Sequence, residues 1–305
     1  MQIRLAGNGT TWGQPRFMSP DELDGWRGYV DEVAAAGFDG LEHLPPMAPI
    51  IDATLLGQEL QQRDLALAGI GLYGALETPD GRESLEDQID VAATFVAEVG
   101  ADYLFIIDEM YANPFTGELE RPVELDDPGW AKMIENLHEL NDRAQNRCGL
   151  PLLLHPHQYS HIDTTEQIER FLAGTDPDHI SILFDTGHYT CRGGDAVAFY
   201  RQHHERIGHL HFKNVVRSQL PDHEVTQRQL VETGAFANLS SGDVDFEALY
   251  EALDAFGYDG WGTVENERLP DMPGTPIDLA RNAVQHLRAL ERAAADPDLR
   301  RSVEA

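Results

Sequence analysis

The sequence predicts an α/β fold, a single (β/α)8 TIM barrel, and three observations predict it. Short apolar runs alternate with longer amphipathic ones along the whole chain. Eight strand–helix pairs fill about 290 residues, the count and length of such a barrel. Finally, no stretch between them has the composition of a domain linker. Alternating strands and helices imply a parallel sheet with right-handed crossovers. The competing doubly wound sheet needs a glycine-rich phosphate fingerprint after its first strand, and "AGNGTTWG" does not spell GxGxxG, so no nucleotide cofactor is expected. The barrel is assigned to residues 1–293 and a frayed tail to 294–305.

The elements follow in order. Residues 2–6 form the first strand, and 20–36 have helical spacing with Gly37 as a stop. Strand 38–43 precedes helix 53–63, strand 65–71 precedes helix 83–99, and strand 102–107 leads into a loop with Pro114 and Gly117. Helix 128–147, strand 151–155, helix 164–173, strand 180–184, helix 195–203 and strand 207–212 continue the series. Residues 213–243 are too long for an ordinary connection and read as an insertion over the barrel mouth. Helix 245–256, strand 259–264 and helix 276–293 close the barrel.

Composition narrows the function. There are 22 basic and 53 acidic residues, a net charge of −31, which repels phosphate backbones and excludes nucleic acid as a partner. No apolar run reaches the ~20 residues of a membrane span, and no secretory signal opens the chain. Cys148 and Cys191 make no disulfide framework, so the expected location is cytoplasmic. Lys213 stands out because the sequence holds only one other lysine, Lys132.

In a barrel of this kind the chemistry sits at the C-terminal ends of the strands. There the sequence places Glu42 (second strand), Asp108 (fourth), and His155 and His157 (fifth), with His161 close behind. The sixth strand ends in Asp185, with His188 three residues on. The seventh carries His209, His211 and Lys213 on one face, and the eighth ends in Glu265. A His/Asp/His/Glu set from four successive strands suits a divalent cation such as Mn²⁺, Co²⁺, Fe²⁺ or Zn²⁺ better than Ca²⁺. Asp185 in "DTGH" also suits the cap of a following helix. Trp12 and Trp261 lie near strand termini, and an aromatic face there would stack on a sugar.

"HPHQYSHIDTTEQIERFLAGTDP", "LFDTGHYTCRGGD", "RIGHLHFKNV" and "GYDGWGTVENE" resemble the xylose-isomerase-like barrels, the sugar phosphate isomerase/epimerase superfamily, and within it the inosose (2-keto-myo-inositol) dehydratases. The resemblance implies one divalent metal, Mn²⁺ first among the candidates, held by His155, Asp185, His211 and Glu265, with His188 near the substrate. It departs at the fifth strand, where the epimerases of the superfamily carry a glutamate and this chain has His155, which weakens a symmetric two-carboxylate epimerase. The expected enzyme is therefore a metal-dependent dehydratase acting on a keto-polyol or keto-sugar through an enediolate and β-elimination. His157 or Glu265 is the expected base. His188, His161 or Lys213 is the expected acid, and Glu42, Asp108, His161, His209 and Trp12 are the expected substrate contacts. The alternatives are a 3-keto-glycoside-cleaving lyase working with a small partner subunit, a sugar isomerase or epimerase, and a non-catalytic sugar-binding subunit. The superfamily leaves room for a homo-oligomer.

Overall fold

A computed structural model describes residues 2–223, 225–269 and 272–295. Eight parallel strands close into a barrel: β1 (Arg4–Gly7), β2 (Gly40–His43), β3 (Ala66–Gly74), β4 (Tyr103–Asp108), β5 (Leu152–Leu154), β6 (Ile182–Asp185), β7 (Ile207–Phe212) and, pairing back onto β1, β10 (Trp261–Val264). Between β7 and β10 the 213–243 segment folds into a two-stranded antiparallel sheet, β8 (Asn214–Val215) and β9 (Phe236–Ala237).

The helices are α1 (Leu23–Ala36), α2 (Ala53–Gln62), α3 (Pro79–Glu98), α4 (Asp127–Cys148), α5 (Thr165–Gly174), α6 (Thr186–Cys191), α7 (Ala196–His203), α8 (Gln227–Glu232), α9 (Phe246–Ala255) and α10 (Pro276–Ala295). Their starts follow the capping rules. Thr164 Oγ1 accepts from Gln167 N while the Gln167 side chain returns to the Thr164 amide. Asp126 caps α4 through Gly129 N. Gly37 ends α1 at φ +93°, as expected of a helix stop.

Three differences from the sequence expectation have local causes. Helix α3 starts four residues early because Thr78 caps it and Pro79 suits the first turn. The short helix α6 was not anticipated, since its six residues carry no period long enough to read. Helix α10 continues to Ala295, so two residues assigned to a frayed tail are helical, and 296–305 lie outside the described residues.

The apolar packing divides into three parts. The largest lies between barrel and helices, with Ile3, Leu56, Ile89, Leu137, Phe171 and Leu287 among its fully buried members. A second fills the lower barrel interior: Ala6, Ala68, Tyr103, Phe105, Leu153, Leu183 and Trp261. The insertion has its own small core of Val215, Leu230, Val231, Ala235 and Phe236. Asn214 pins that insertion, its Nδ2 donating to Leu239 O at 2.7 Å and its Oδ1 accepting from Val244 N at 2.9 Å. Among the described residues, no helix is long and apolar enough to cross a membrane.

Candidate active site

Strand alternation and register build the site. Trp261, Leu183 and Leu153 point into the lower barrel, so Thr263 and Glu265, Asp185, and His155 occupy the next inward levels. On β7 the inward residues are His209 and His211, with Lys213 just beyond the strand. Register sets His211 beside Asp185 on β6 and beside Thr263 on β10. The interior thus changes from apolar to polar toward the C-terminal ends of the strands.

The upper level is a buried charge cluster. Lys213, with no exposed surface, sets Nζ 2.7 Å from Glu265 Oε2, 3.2 Å from Glu267 Oε1, 2.9 Å from His188 Nε2 and 3.6 Å from Asp185 Oδ2. Burial opposes its charge, but Asp185, Glu265 and Glu267 outweigh burial and raise its pKa. Gly187 makes room for this side chain, since a Cβ there would lie 2.4 Å from Lys213 Cγ. Asp185 divides its oxygens: Oδ1 accepts from Gly187 N and His188 N, both at 2.7 Å, capping α6, while Oδ2 faces the cluster. The helix-cap reading of Asp185 thus accounts for Oδ1 and leaves Oδ2 directed at the cluster. His211 Nδ1 lies 3.3 Å from Glu265 Oε1 and 3.8 Å from Asp185 Oδ2. The His155 ring centroid is 4.7 Å from that of His211.

Beneath it lies a second polar level around Glu42. The Tyr103 and Thr263 hydroxyls donate to Glu42 Oε1 at 2.8 and 2.9 Å, and His211 Nε2 sits 2.9 Å from the same oxygen. His209 Nε2 contacts Tyr103 Oη at 2.8 Å and Thr263 Oγ1 at 3.0 Å. Asn8 joins the two levels, its Nδ2 donating to Glu265 Oε1 and, at 3.4 Å, to Glu42 Oε2.

The remaining expected site residues sort differently. His157 lies in the cluster, its ring centroid 4.2 Å from that of His188, and is the one partly exposed histidine there. Glu42 and His209 sit below the cluster, packed among protein groups. Asp108 and His161 form a separate network. Asp108 Oδ2 accepts from His161 N at 3.1 Å and lies 2.9 Å from His161 Nδ1, Arg121 reaches Asp108 Oδ1 at 3.2 Å, and His161 Nε2 lies 2.8 Å from Pro122 O. That network ties down the loop after β4. Trp12 is not in the cluster either: its Nε1 donates to Glu32 at 2.7 Å and its ring packs edge-on against Tyr29 of α1. Trp261 lies in the lower interior, donating to Asp102 at 2.7 Å.

Proton inventories bear on the three expected acids. An ammonium has three N–H groups, and Lys213 has three close acceptors. Because Lys213 only donates, His188 accepts at Nε2 and uses its Nδ1–H toward Gln158 Oε1 at 3.1 Å. Both ring nitrogens of His161 face acceptors. Asn8, Tyr103, Gln158, Thr263 and Glu267 were missed by the sequence reading. Of these, Glu267 had a signal, as the second carboxylate of "VENE".

The donor set fits a divalent cation. His155 Nδ1, His211 Nδ1 and Asp185 Oδ2 are buried without a hydrogen-bond partner, and ligand atoms of His155, Asp185 and His211 lie within 4.8 Å of one another. An unpaired buried polar group costs about 1–3 kcal/mol, a cost that a shared positive partner beside these three residues would offset. Burial, then the neighbouring imidazoles, hold the His155 pKa well down, leaving it neutral as a ligand must be. Burial opposes charge on His211, but Glu42 and Glu265 outweigh it and raise its pKa to about 10, so without a cation a proton fills that role.

Comparisons with known proteins agree with this fold. A family model described as xylose isomerase-like TIM barrel matches residues 30–290. An inosose dehydratase of Geobacillus thermodenitrificans (strain NG80-2) is 32% identical over 267 residues, covering 85% of this chain and 87% of that protein. Among solved structures, the IOLI protein with a binding zinc atom superposes with a TM-score of 0.70 at 16% identity, covering 95% of this chain and 98% of that one. The probable 3-DHS dehydratase AsbF, involved in petrobactin synthesis in Bacillus anthracis, superposes with a TM-score of 0.68 at 13% identity, covering 94% and 99%.

Proposed function

The chain belongs to the xylose isomerase-like TIM barrel family, and from that premise we propose that it is a divalent-metal-dependent dehydratase of a keto-polyol or keto-sugar, with 2-keto-myo-inositol the first substrate to try. It is an enzyme of the lyase or isomerase kind. The observation that supports the finer reading is the convergence of ligand atoms from His155, Asp185 and His211 beside Glu265, each of the three residues also keeping a buried atom without a hydrogen-bond partner. Those four residues would hold the cation, Mn²⁺ first and Co²⁺, Fe²⁺ or Zn²⁺ after it. When bound, the cation supplies Lewis-acid polarisation of a ketone oxygen.

The chain's own groups supply the proton transfers. His157 Nδ1 lies 2.8 Å from the Gln158 carbonyl, an acceptor only, so Nδ1 carries the proton and Nε2 keeps a lone pair. Burial, then Lys213, lowers the His157 pKa to about 4, so the ring is neutral and ready as a base. Glu265 is the poorer base because Asn8 and Lys213 already occupy it. His157 removes the proton α to the ketone, leaving an enediolate. The β-hydroxyl then departs with its bonding electrons and takes a proton, and His157, now an imidazolium, holds that proton. One C–H and one C–O bond break, one C=C bond forms, and water leaves. Lys213 holds Glu265 and His188 in place and is a positioning residue in this scheme. Gln158, bonded to His188, borders a cavity of about 390 Å³ in which Leu220, Pro221, Val225 and Leu230 share the lining with Arg192, Asp222 and His223. That mixed polar and apolar space supports a second reading, in which the leaving group is a larger substituent of a keto-glycoside.

The test compares EDTA-stripped and Mn²⁺-reloaded protein on 2-keto-myo-inositol, following the ultraviolet absorbance of an enolised diketone. Metal-dependent appearance of the chromophore is expected. Stoichiometric metal without reaction moves the substrate to keto-glycosides, and failure to bind metal overturns the proposal.

A further inference from the structure

Resting on the metal reading above, we propose that Glu42 is a positioning residue that fixes His211 as the Nε2–H tautomer, so that His211 presents Nδ1 to the cation. The proton directions follow from the atoms. Glu42 Oε1 has three partners between 2.8 and 2.9 Å, the Tyr103 hydroxyl, the Thr263 hydroxyl and His211 Nε2. Its other oxygen faces the Asn8 amide donor. A carboxylate so surrounded carries no proton of its own, so every partner donates, and His211 Nε2 must bear hydrogen. His209 completes the network. With both hydroxyls directed at Glu42, His209 Nε2–H donates to Tyr103 Oη and Thr263 Oγ1. Every hydroxyl and N–H of this network then has an acceptor, while His209 Nδ1 is left as a buried ring nitrogen without a hydrogen-bond partner.

Above the ring, His211 Nδ1 has no hydrogen-bond partner and faces Glu265 and Asp185. Carboxylates that accept the distal N–H of a ligand histidine orient the ring and raise its basicity, and their loss weakens metal binding. The sequence reading had placed Glu42 at the substrate. The structure places it 3% exposed beneath the ligand set, with protein groups on every side that is described.

The experiment uses the full chain stripped of metal and titrated with Zn²⁺ by competition calorimetry. The tautomer of His211 is then read from long-range ¹⁵N–¹H imidazole spectra of the zinc-loaded protein. The expected wild-type spectrum has zinc on Nδ1 and a protected, downfield Nε2–H. Glu42→Ala loses that proton signal and about 10- to 100-fold in zinc affinity. Glu42→Gln, which keeps an acceptor oxygen, retains the signal and recovers most of the affinity. Zinc bound through Nε2 of His211, or an unchanged affinity in folded Glu42→Ala, overturns this assignment while leaving the metal site standing. Should the alanine variant fail to fold, the wild-type tautomer decides alone. A wild type that takes up no zinc overturns both readings.

Discussion

Replacing Lys213 by methionine keeps the stem and removes the one ammonium in a pocket with Asp185, Glu265 and Glu267. At an effective dielectric near 20, opposite charges 2.7 to 3.6 Å apart attract by roughly 5–6 kcal/mol each. These attractions overstate the loss, because desolvating the ammonium offsets several kcal/mol and a carboxyl can protonate instead. At pH 7, protonating a carboxyl with an unfolded pKa near 4.3 costs about 4 kcal/mol, which sets the ceiling. That ceiling agrees with the roughly 3–5 kcal/mol expected when one member of a buried ion pair is removed. At roughly 2 °C per kcal/mol for a chain this long, the metal-free variant should melt about 6–8 °C below wild type.

The sign with pH follows from linkage. A carboxyl whose folded pKa has risen contributes fully below its unfolded pKa and loses that contribution as pH rises. The deficit therefore grows by up to about 1.4 kcal/mol per pH unit between pH 5 and pH 8. A bound cation supplies the missing positive charge, so saturating Mn²⁺ should shrink the deficit. The assay is scanning calorimetry of stripped and loaded protein at pH 6, 7 and 8. Equal melting of the stripped proteins, or a deficit independent of pH and of metal, would refute the reasoning.

Three further outcomes are expected. His157→Gln should cut kcat by about 10²- to 10⁴-fold with metal content unchanged by elemental analysis, whereas His155→Ala should lose metal; equal metal loss in both would remove His157 from the base role. Gly187→Ala drives a Cβ to 2.4 Å from Lys213 Cγ, near the root of the side chain, and should cost about 1–3 kcal/mol in thermal melts and weaken Zn²⁺ binding in competition calorimetry. In the Asp108–His161–Arg121 network, burial opposes charge on both Asp108 and His161, but their partners outweigh it, lowering the Asp108 pKa and raising that of His161. His161 then stabilises fully below its unfolded pKa near 6.5 and fades as pH rises through its raised value. Asp108 stabilises above about 3.9 and fades as pH falls through its lowered value. Thermal melts from pH 3 to 9 should flatten on the alkaline side in His161→Leu, and an unchanged alkaline slope would show that His161 is not the group responsible.

The sequence made the barrel legible because each β-strand and each long helix carries its own period, and because a barrel puts strand ends at one mouth. That rule located His155, His157, Asp185, His188, His211, Lys213 and Glu265 without any tertiary information, and the structure gathers them. It does not separate from them Trp12, which follows the first strand but turns to Glu32, or Asp108 and His161, which spend their polar atoms on a loop outside the cluster. Strand-end position says where a side chain starts, not which neighbour takes its protons. The same limit hid Tyr103 and Thr263. Each lies in a strand as one more β-former, and only closure of the barrel, which turns β2, β4 and β10 toward one interior, shows that their hydroxyls converge on Glu42. Asn8 was hidden by its surroundings, because a glycine-rich turn invites a test for phosphate binding and says nothing of a bond to Glu265 at the end of the neighbouring strand β10.

The charges of the two polar levels explain why the site takes this form. Glu42, Asp185, Glu265 and Glu267 bring four carboxylates into the barrel mouth, against one ammonium and the His211 imidazole. Burying a carboxylate without a partner is costly, so the imbalance persists only where something else supplies charge. Protons do so in part. Burial and then Glu265 raise the pKa of Asp185, while Glu42 and Glu265 keep His211 charged against its burial. A divalent cation would release the His211 proton and meet the same carboxylates with twice the charge. Glu42 then has a reason to be ionised at the bottom of the site: 2.9 Å from His211 Nε2, it would accept that N–H whether Nδ1 held a proton or a metal, as a support for a ligand ring must.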